Sequence, residues 1–176
     1  MALTWDELRV IHPNIPESSA GYSQHANGGG WVADSAWVHV TAWIAPSSVV
    51  GAYCRIAEDC RIAEDCCIAA GCHLAAGCRL AADCRLAADC RIGERVTHNR
   101  TPLYIQGSRY FLAFVGPGLV QSGCITEPLS WWLEHVERCA RQHGYSDEQQ
   151  REYRLHVEHM AAWMRLYGVD KQDPAS

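Results

Sequence analysis

Arginine and tryptophan recur through the middle of this 176-residue chain at one fixed interval, and both are side chains that recognise phosphorylated aromatic molecules. Trp37, Arg55, His73 and Arg91 lie eighteen residues apart; Trp43, Arg61 and Arg79 repeat the interval, and so do Trp31, Val49, Cys67 and Arg85. A guanidinium forks a phosphate with two parallel donors, and an indole offers a face on which a base stacks. A second signal lies outside these series. Gln106, Gly107, Ser108, Arg109 and Tyr110 place a backbone donor, a hydroxyl, a guanidinium and an aromatic ring within five residues. The candidate ligand-binding residues are therefore Trp37, Arg55, His73 and Arg91 together with Gln106, Gly107, Ser108, Arg109 and Tyr110. The expected ligand is a small anion, a nucleotide foremost, with Arg109 supplying a charge-assisted hydrogen bond. Two plainer readings compete. Glu58, Asp59, Glu64, Asp65, Asp83 and Asp89 stand beside the arginines and would pair with them, and residues 106–110 would simply open a bulged hairpin.

Other chemistries find less support. Cys54, Cys60, Cys66, Cys72, Cys78, Cys84 and Cys90 step evenly by six, which neither a disulfide framework nor a zinc site does. An even step means that one position of a repeat is being filled with a small residue, and a buried cysteine behaves as one. Cys67 falls outside that series and is expected to face outward as the reactive thiol. His156 and His159 are one helical turn apart, which suits a solvated face, and no catalytic or metal-binding set and no cofactor motif is expected.

The repeat dictates the architecture. Val32, Val38, Ile44, Val50, Ile56, Ile62, Ile68, Leu74, Leu80, Leu86 and Ile92 are each six residues apart, and RIAEDC, CIAAGC, HLAAGC and RLAADC are copies of one unit. A six-residue step would carry an aliphatic stripe around every face of an α-helix. Along short strands an even step keeps one side chain inward. Three strands then close a coil of eighteen residues, and residues i and i+18 stack at the interstrand spacing of ~4.8 Å. Residues 1–30 form an N-terminal capping segment, in which Gly28, Gly29 and Gly30 make either a flexible lead into the first strand or an anion-binding nest. The β-helix covers 31–96, a β-hairpin segment 97–126 and a helical pair 127–176. In the pair, Ser146 and Gln149 form a capping box, and Leu155, Met160, Trp163, Met164 and Tyr167 form the apolar stripe.

Over residues 31–96 the chain resembles the left-handed hexapeptide-repeat β-helix family. That likeness implies the fold class, mainly β with a left-handed parallel β-helix, a β-hairpin and a C-terminal helical pair, and it implies a homotrimer. Acyl transfer is the family's common activity, and it uses a general-base histidine on a loop thrown out between coils. Here the repeats run without insertion, leaving only His39, His73 and His98 as bases, so a non-enzymatic binder is expected ahead of an acyltransferase or a purely structural trimer. The whole chain, with its HANGGGWV lead, GSR segment and terminal helices, is also similar to short bacteriophage and prophage hexapeptide-repeat proteins. That similarity implies an accessory protein that sequesters a phosphate-bearing, cyclic nucleotide signal of host defence.

Composition sets the outer limits. A net charge of −5 argues against long nucleic acid as a partner. No apolar run reaches the ~18 residues of a membrane span, and Asp6 and Glu7 interrupt the N-terminus where a secretory signal would be apolar. A cytoplasmic location, that of the bacterial host for a phage protein, is expected.

Overall fold

Two-residue strands separated by tight corners are what a hexapeptide unit builds. The computed structural model describes residues 3–169, beginning with helix α1 (Trp5–Ile11) and strand β1 (Tyr22–Gln24). The solenoid strands follow as β2 (Trp31–Ala33), β3 (Trp37–Val38), β4 (Trp43–Ile44), β5 (Val49–Val50), β6 (Arg55–Ile56) and β7 (Arg61–Ile62). They continue as β8 (Cys67–Ile68), β9 (His73–Leu74), β10 (Arg79–Leu80), β11 (Arg85–Leu86), β12 (Arg91–Ile92) and β13 (Thr97–His98). Every third strand pairs in parallel, giving the three faces β2-β5-β8-β11, β3-β6-β9-β12 and β4-β7-β10-β13, a parallel β-solenoid of about four turns. The rungs are in register: Arg61 aligns with Arg79, and Ile62 with Leu80. Backbone amides link each coil to the next, as in Trp43 N to Cys60 O at 2.9 Å and Arg61 N to Cys78 O at 2.8 Å.

The interior is a set of ladders. Ile44, Ile56, Ile62 and Ile68 are at most 1% exposed, and burying a side chain of that size contributes roughly 1.5–3 kcal/mol. All seven six-spaced cysteines are buried as free thiols. They do more than fill space, because each of five donates to the carbonyl fifteen residues ahead at 2.8–3.1 Å, from Cys54 to Ala69 through Cys78 to Gly93. Ser48 makes the same bond to Ala63 O at 2.6 Å, so the thiol stands where a hydroxyl serves one coil earlier. Corners turn at the residue before the small one. Asp59, Asp65, Asp83 and Asp89 hold φ of 57° to 62° there, the left-handed region that aspartate tolerates better than most side chains.

The repeat runs one strand beyond the expected end at residue 96. His98 occupies the twelfth aliphatic position, paired with Leu80 and 3% exposed. Burial pushes its pKa down to about 4, so the ring sits in the core uncharged. At the other end, Trp5 and Leu8 of α1 pack on Val49 and beside Tyr22 and Trp31, covering the top of the first face. The glycine run is neither free nor a nest. Gly30 N donates to Ile44 O, and Ile44 N to Asn27 O, so the segment closes the exposed edge of β4. A Cβ on Gly28 would come within 2.1 Å of Ile44 O, and its φ is +107°, which is why glycine is needed there.

The described residues divide into two compact units that meet between Pro102 and Leu103. In the second unit the expected hairpin is a four-stranded antiparallel meander of β14 (Tyr104–Gln106), β15 (Phe111–Gly116), β16 (Leu119–Ser122) and β17 (Ile125–Pro128). Helices α2 (Leu129–Gln142) and α3 (Asp147–Leu166) follow, the latter opened by the Ser146–Gln149 capping box. Their apolar faces are covered within this unit. Trp132, Val136, Tyr153, Val157, Met160 and Met164 pack with Leu112, Phe114 and Val120 of the sheet. Of the expected stripe on α3, Met160 and Met164 are buried and Trp163 packs against the same core, while Leu155 is 64% exposed. No helix among the described residues is long and apolar enough to cross a membrane.

Candidate functional site

Stacking at ladder spacing turns one sequence series into a wall. On the face β4-β7-β10-β13, Trp43, Arg61, Arg79 and Thr97 form successive rungs. Together with Asn27, Thr41, Asp59 and Ala81 they line a groove of about 580 Å³, a volume in the range of small-ligand sites. Asn27 arrives from the glycine segment and donates through Nδ2 to Thr41 O at 3.2 Å. The Thr41 hydroxyl accepts from Asp59 N at 3.0 Å and contacts His39 Nδ1 at 2.9 Å, which fixes the corner carrying Asp59. The competing expectation of local ion pairs is not met here. Among the described residues, Arg55, Arg61, Arg79 and Arg85 have no carboxylate within salt-bridge distance. Two neighbouring guanidinium groups in one groove therefore face solvent with their donors open, beside a half-buried indole.

The first candidate series, Trp37, Arg55, His73 and Arg91, is stacked in register as expected, on the face β3-β6-β9-β12. Its four side chains are exposed, and Trp37 is tilted against His39 with ring centroids 5.9 Å apart. Exposed Tyr53 and Val40, 73% and 77% accessible, lie on the same early coils and make that end of the solenoid apolar.

Residues 107–110 form the loop between β14 and β15 in the second unit, and α3 holds it. Ser108 donates from its backbone N to Glu152 Oε1 at 2.8 Å and from its hydroxyl to Glu152 Oε2 at 2.5 Å. The hydroxyl of Ser108 is the first cause keeping the Glu152 carboxyl below its ordinary pKa. Tyr153 Oη accepts from the backbone N of Arg109 and of Tyr110, and donates to Tyr110 O at 2.6 Å. Gly107 is required by this bracket, since a Cβ there would lie 2.6 Å from the Tyr153 hydroxyl. The Arg109 guanidinium donates to His143 O and Gly144 O at 3.1 and 3.2 Å, at the C-terminal end of α2, and lies 4.6 Å from the Tyr145 ring centroid. Gln106 is hydrogen-bonded to the Tyr104 hydroxyl at 2.9 Å and to Gly107 O at 3.0 Å. The Ser108 hydroxyl, the Gln106 amide and Nη1 of Arg109 are thus engaged with the protein itself.

Comparison with family models, curated proteins and solved structures finds no match for the chain. The chemistry must be read from the site alone. None of His39, His73 and His98 lines the groove, and Asp59 is the single carboxylate among the described residues lining it. Ser108, Glu152 and His156 touch in that order, with His156 Nε2 3.2 Å from Glu152 Oε1. The carboxylate therefore lies between hydroxyl and imidazole, whereas an activated serine needs the imidazole in the middle. Among the described residues no group of three or more His, Cys, Asp or Glu is placed to hold a metal ion. Cys67 is half-buried with its pKa raised by burial, while Cys124 is exposed, so the accessible thiol is Cys124.

Asn27, Thr41, Asp59 and Thr97 were not among the candidates. Thr97 lies just past the visible repeat, and Asn27 reaches the groove only because the glycine segment folds back on Ile44. The Trp43, Arg61, Arg79 series was visible, but nothing in its spacing distinguished it from the series headed by Trp37.

Proposed function

We propose that the protein is a non-enzymatic binder that captures a small phosphate-bearing nucleotide in the groove over Trp43, Arg61 and Arg79. One observation carries this reading: two stacked guanidinium groups that form no salt bridge among the described residues stand next to a half-buried indole inside a groove of ligand size. Like charges at ladder spacing repel, and a phosphate would offset them. No histidine lines the groove among the described residues, which favours holding over conversion. The similarity to short phage proteins supports sequestration of a host nucleotide signal in the host cytoplasm as the purpose. The hexapeptide resemblance supports a homotrimer, and the exposed Trp37, Val40 and Tyr53 offer it an apolar contact surface.

The test incubates the full-length protein with a panel of nucleotides, removes unbound material, heats the complex and identifies what is released by mass spectrometry. Intact nucleotide is the expected result. Arg79→Ala should weaken capture about ten- to a hundredfold, the equivalent of a charge-assisted bond of roughly 1.5–3 kcal/mol, whereas Arg109→Ala should leave it unchanged. A hydrolysed or acylated product would establish an enzyme instead, with acyl transfer the first activity to assay. Failure to retain any nucleotide would leave a structural trimer.

A further inference from the structure

Arg95 is out of place on its corner. Thr41, Asp59, Gly77 and Arg95 are eighteen residues apart and take the same corner of successive coils, beside the rungs of Trp43, Arg61, Arg79 and Thr97. Most left-handed corners of the solenoid are held by aspartate or glycine, which tolerate that backbone. Arg95 holds a φ of 56° without either advantage, and among the described residues Tyr53 is the other such case. Strain of this kind persists where the surroundings over-determine it, and it gathers at ligand sites. The Arg95 side chain turns back along its column, since a Cβ on Gly77 would lie 3.2 Å from its Cγ. Its stem thus lies against the glycine, on the coil that carries Arg79, where a larger corner residue would crowd it. Arg95 is exposed and forms no salt bridge among the described residues, with its neighbour Glu94 or any other carboxylate.

Arg61, Arg79 and Asp59 line the groove, and Arg95 adds a third guanidinium at its Thr97 end. These charges are ordered. Asp59 stands one rung from Trp43, roughly 5 Å away along the solenoid, while Arg79 and Arg95 lie on the coils beyond it. A ligand with its base on Trp43 brings its sugar to the level of Asp59, whose carboxylate can accept from a sugar hydroxyl. Its phosphates then run away from that carboxylate toward Arg79 and Arg95. The reverse orientation gives up the indole and presses phosphate against Asp59. We propose that the groove takes a nucleoside 5′-polyphosphate in the first orientation and that Arg95 binds its terminal phosphate. This rests on the groove being the nucleotide site proposed above. A lone phosphate is served by the Arg61 and Arg79 pair, whereas a phosphate chain also carries acceptor oxygens to the third guanidinium.

The experiment is calorimetric titration of the full-length protein with ATP and with AMP, without added magnesium, since the two share a base and sugar and differ in the length of the phosphate chain. ATP should bind about ten- to a hundredfold more tightly, the worth of one charge-assisted hydrogen bond. Arg95→Asn should narrow that ratio to under about threefold by weakening ATP and leaving AMP unchanged. Asparagine suits the φ of 56° at this corner, so the backbone is retained. Arg85→Ala removes an equal charge from the face β2-β5-β8-β11 and should leave both affinities as they were. AMP binding as tightly as ATP in the unaltered protein would overturn the polyphosphate assignment while leaving nucleotide capture standing. A preference for ATP that survives Arg95→Asn would overturn the role of Arg95, and so would an equal loss in Arg85→Ala, which would reduce the effect to overall charge. Binding of neither nucleotide by a folded protein would remove this assignment and the capture reading together.

Discussion

Replacing His98 by leucine should make the solenoid indifferent to mild acid. His98 sits at an aliphatic rung, 3% exposed and aligned with Leu80, and burial holds its pKa at about 4. In the unfolded chain the same imidazole protonates near its ordinary value of about 6.5. The unfolded state therefore binds a proton that the folded state refuses as pH drops below that value. The stability is fully present above pH ~6.5 and is lost as pH falls toward 4. At pH 5 the unfolded side chain is about 1.5 units below its pKa, and at about 1.4 kcal/mol per unit this costs the native protein about 2 kcal/mol relative to pH 7. The carboxyls of Glu7 and Glu152 lie below their ordinary value, outside this window, and are common to both proteins. Urea unfolding followed by far-UV circular dichroism at pH 7 and pH 5 reads the effect. With a slope of about 2 kcal/mol/M, the wild-type midpoint should fall by about 1 M more than that of His98→Leu. Equal losses in the two proteins would refute a neutral, buried His98.

Two further outcomes test the packing. Cys66 donates to Ala81 O at 3.1 Å in the position where Ser48 donates one coil earlier, so Cys66→Ser should cost under about 1 kcal/mol, whereas Cys66→Ala loses donor and volume and should cost about 1.5–2.5 kcal/mol. Urea midpoints at pH 7 decide between them, and an alanine variant as stable as the serine variant would contradict the ladder of donated bonds. Tyr153→Phe removes the acceptor shared by Arg109 N and Tyr110 N; it should destabilise the second unit by about 1–3 kcal/mol and speed amide exchange at both residues, and unchanged exchange would count against the bracket.

The solenoid was legible because a six-residue period has one structural solution, and each of its rungs reports the same inward position. The reading failed where the period was obeyed by an unexpected side chain. His98 keeps the register but is not aliphatic, so the twelfth strand was invisible until burial showed the ring among the leucines and isoleucines. The glycine segment failed for a related reason. Three glycines announce unusual backbone, yet only the contact with Ile44 says that the purpose is to close an open strand edge and bring Asn27 to the groove. On α3 the stripe was legible at Met160, Trp163 and Met164 and failed at Leu155, which is apolar without being inward.

Arginine identity was the weakest guide to the site, and the reason is physical. Arg109 and Arg79 are the same residue type beside the same classes of neighbour, but their donors meet different acceptors. Arg109 ends at the carbonyls of His143 and Gly144 and over the Tyr145 ring, a set completed by the turn between α2 and α3. Arg79 ends in a groove with another guanidinium one rung away, and among the described residues it forms no salt bridge. A guanidinium at a helix C-terminus is satisfied by the helix itself, whereas a ladder of them on a parallel sheet raises its own energy with every rung. Trp43 and Thr97 interrupt that ladder at its two ends, limiting the repulsion to one pair. A fold that holds two like charges at strand spacing, with one carboxylate in the groove that neither of them pairs with among the described residues, leaves an external anion much to contribute, and that is the argument for placing the ligand on the Trp43 face.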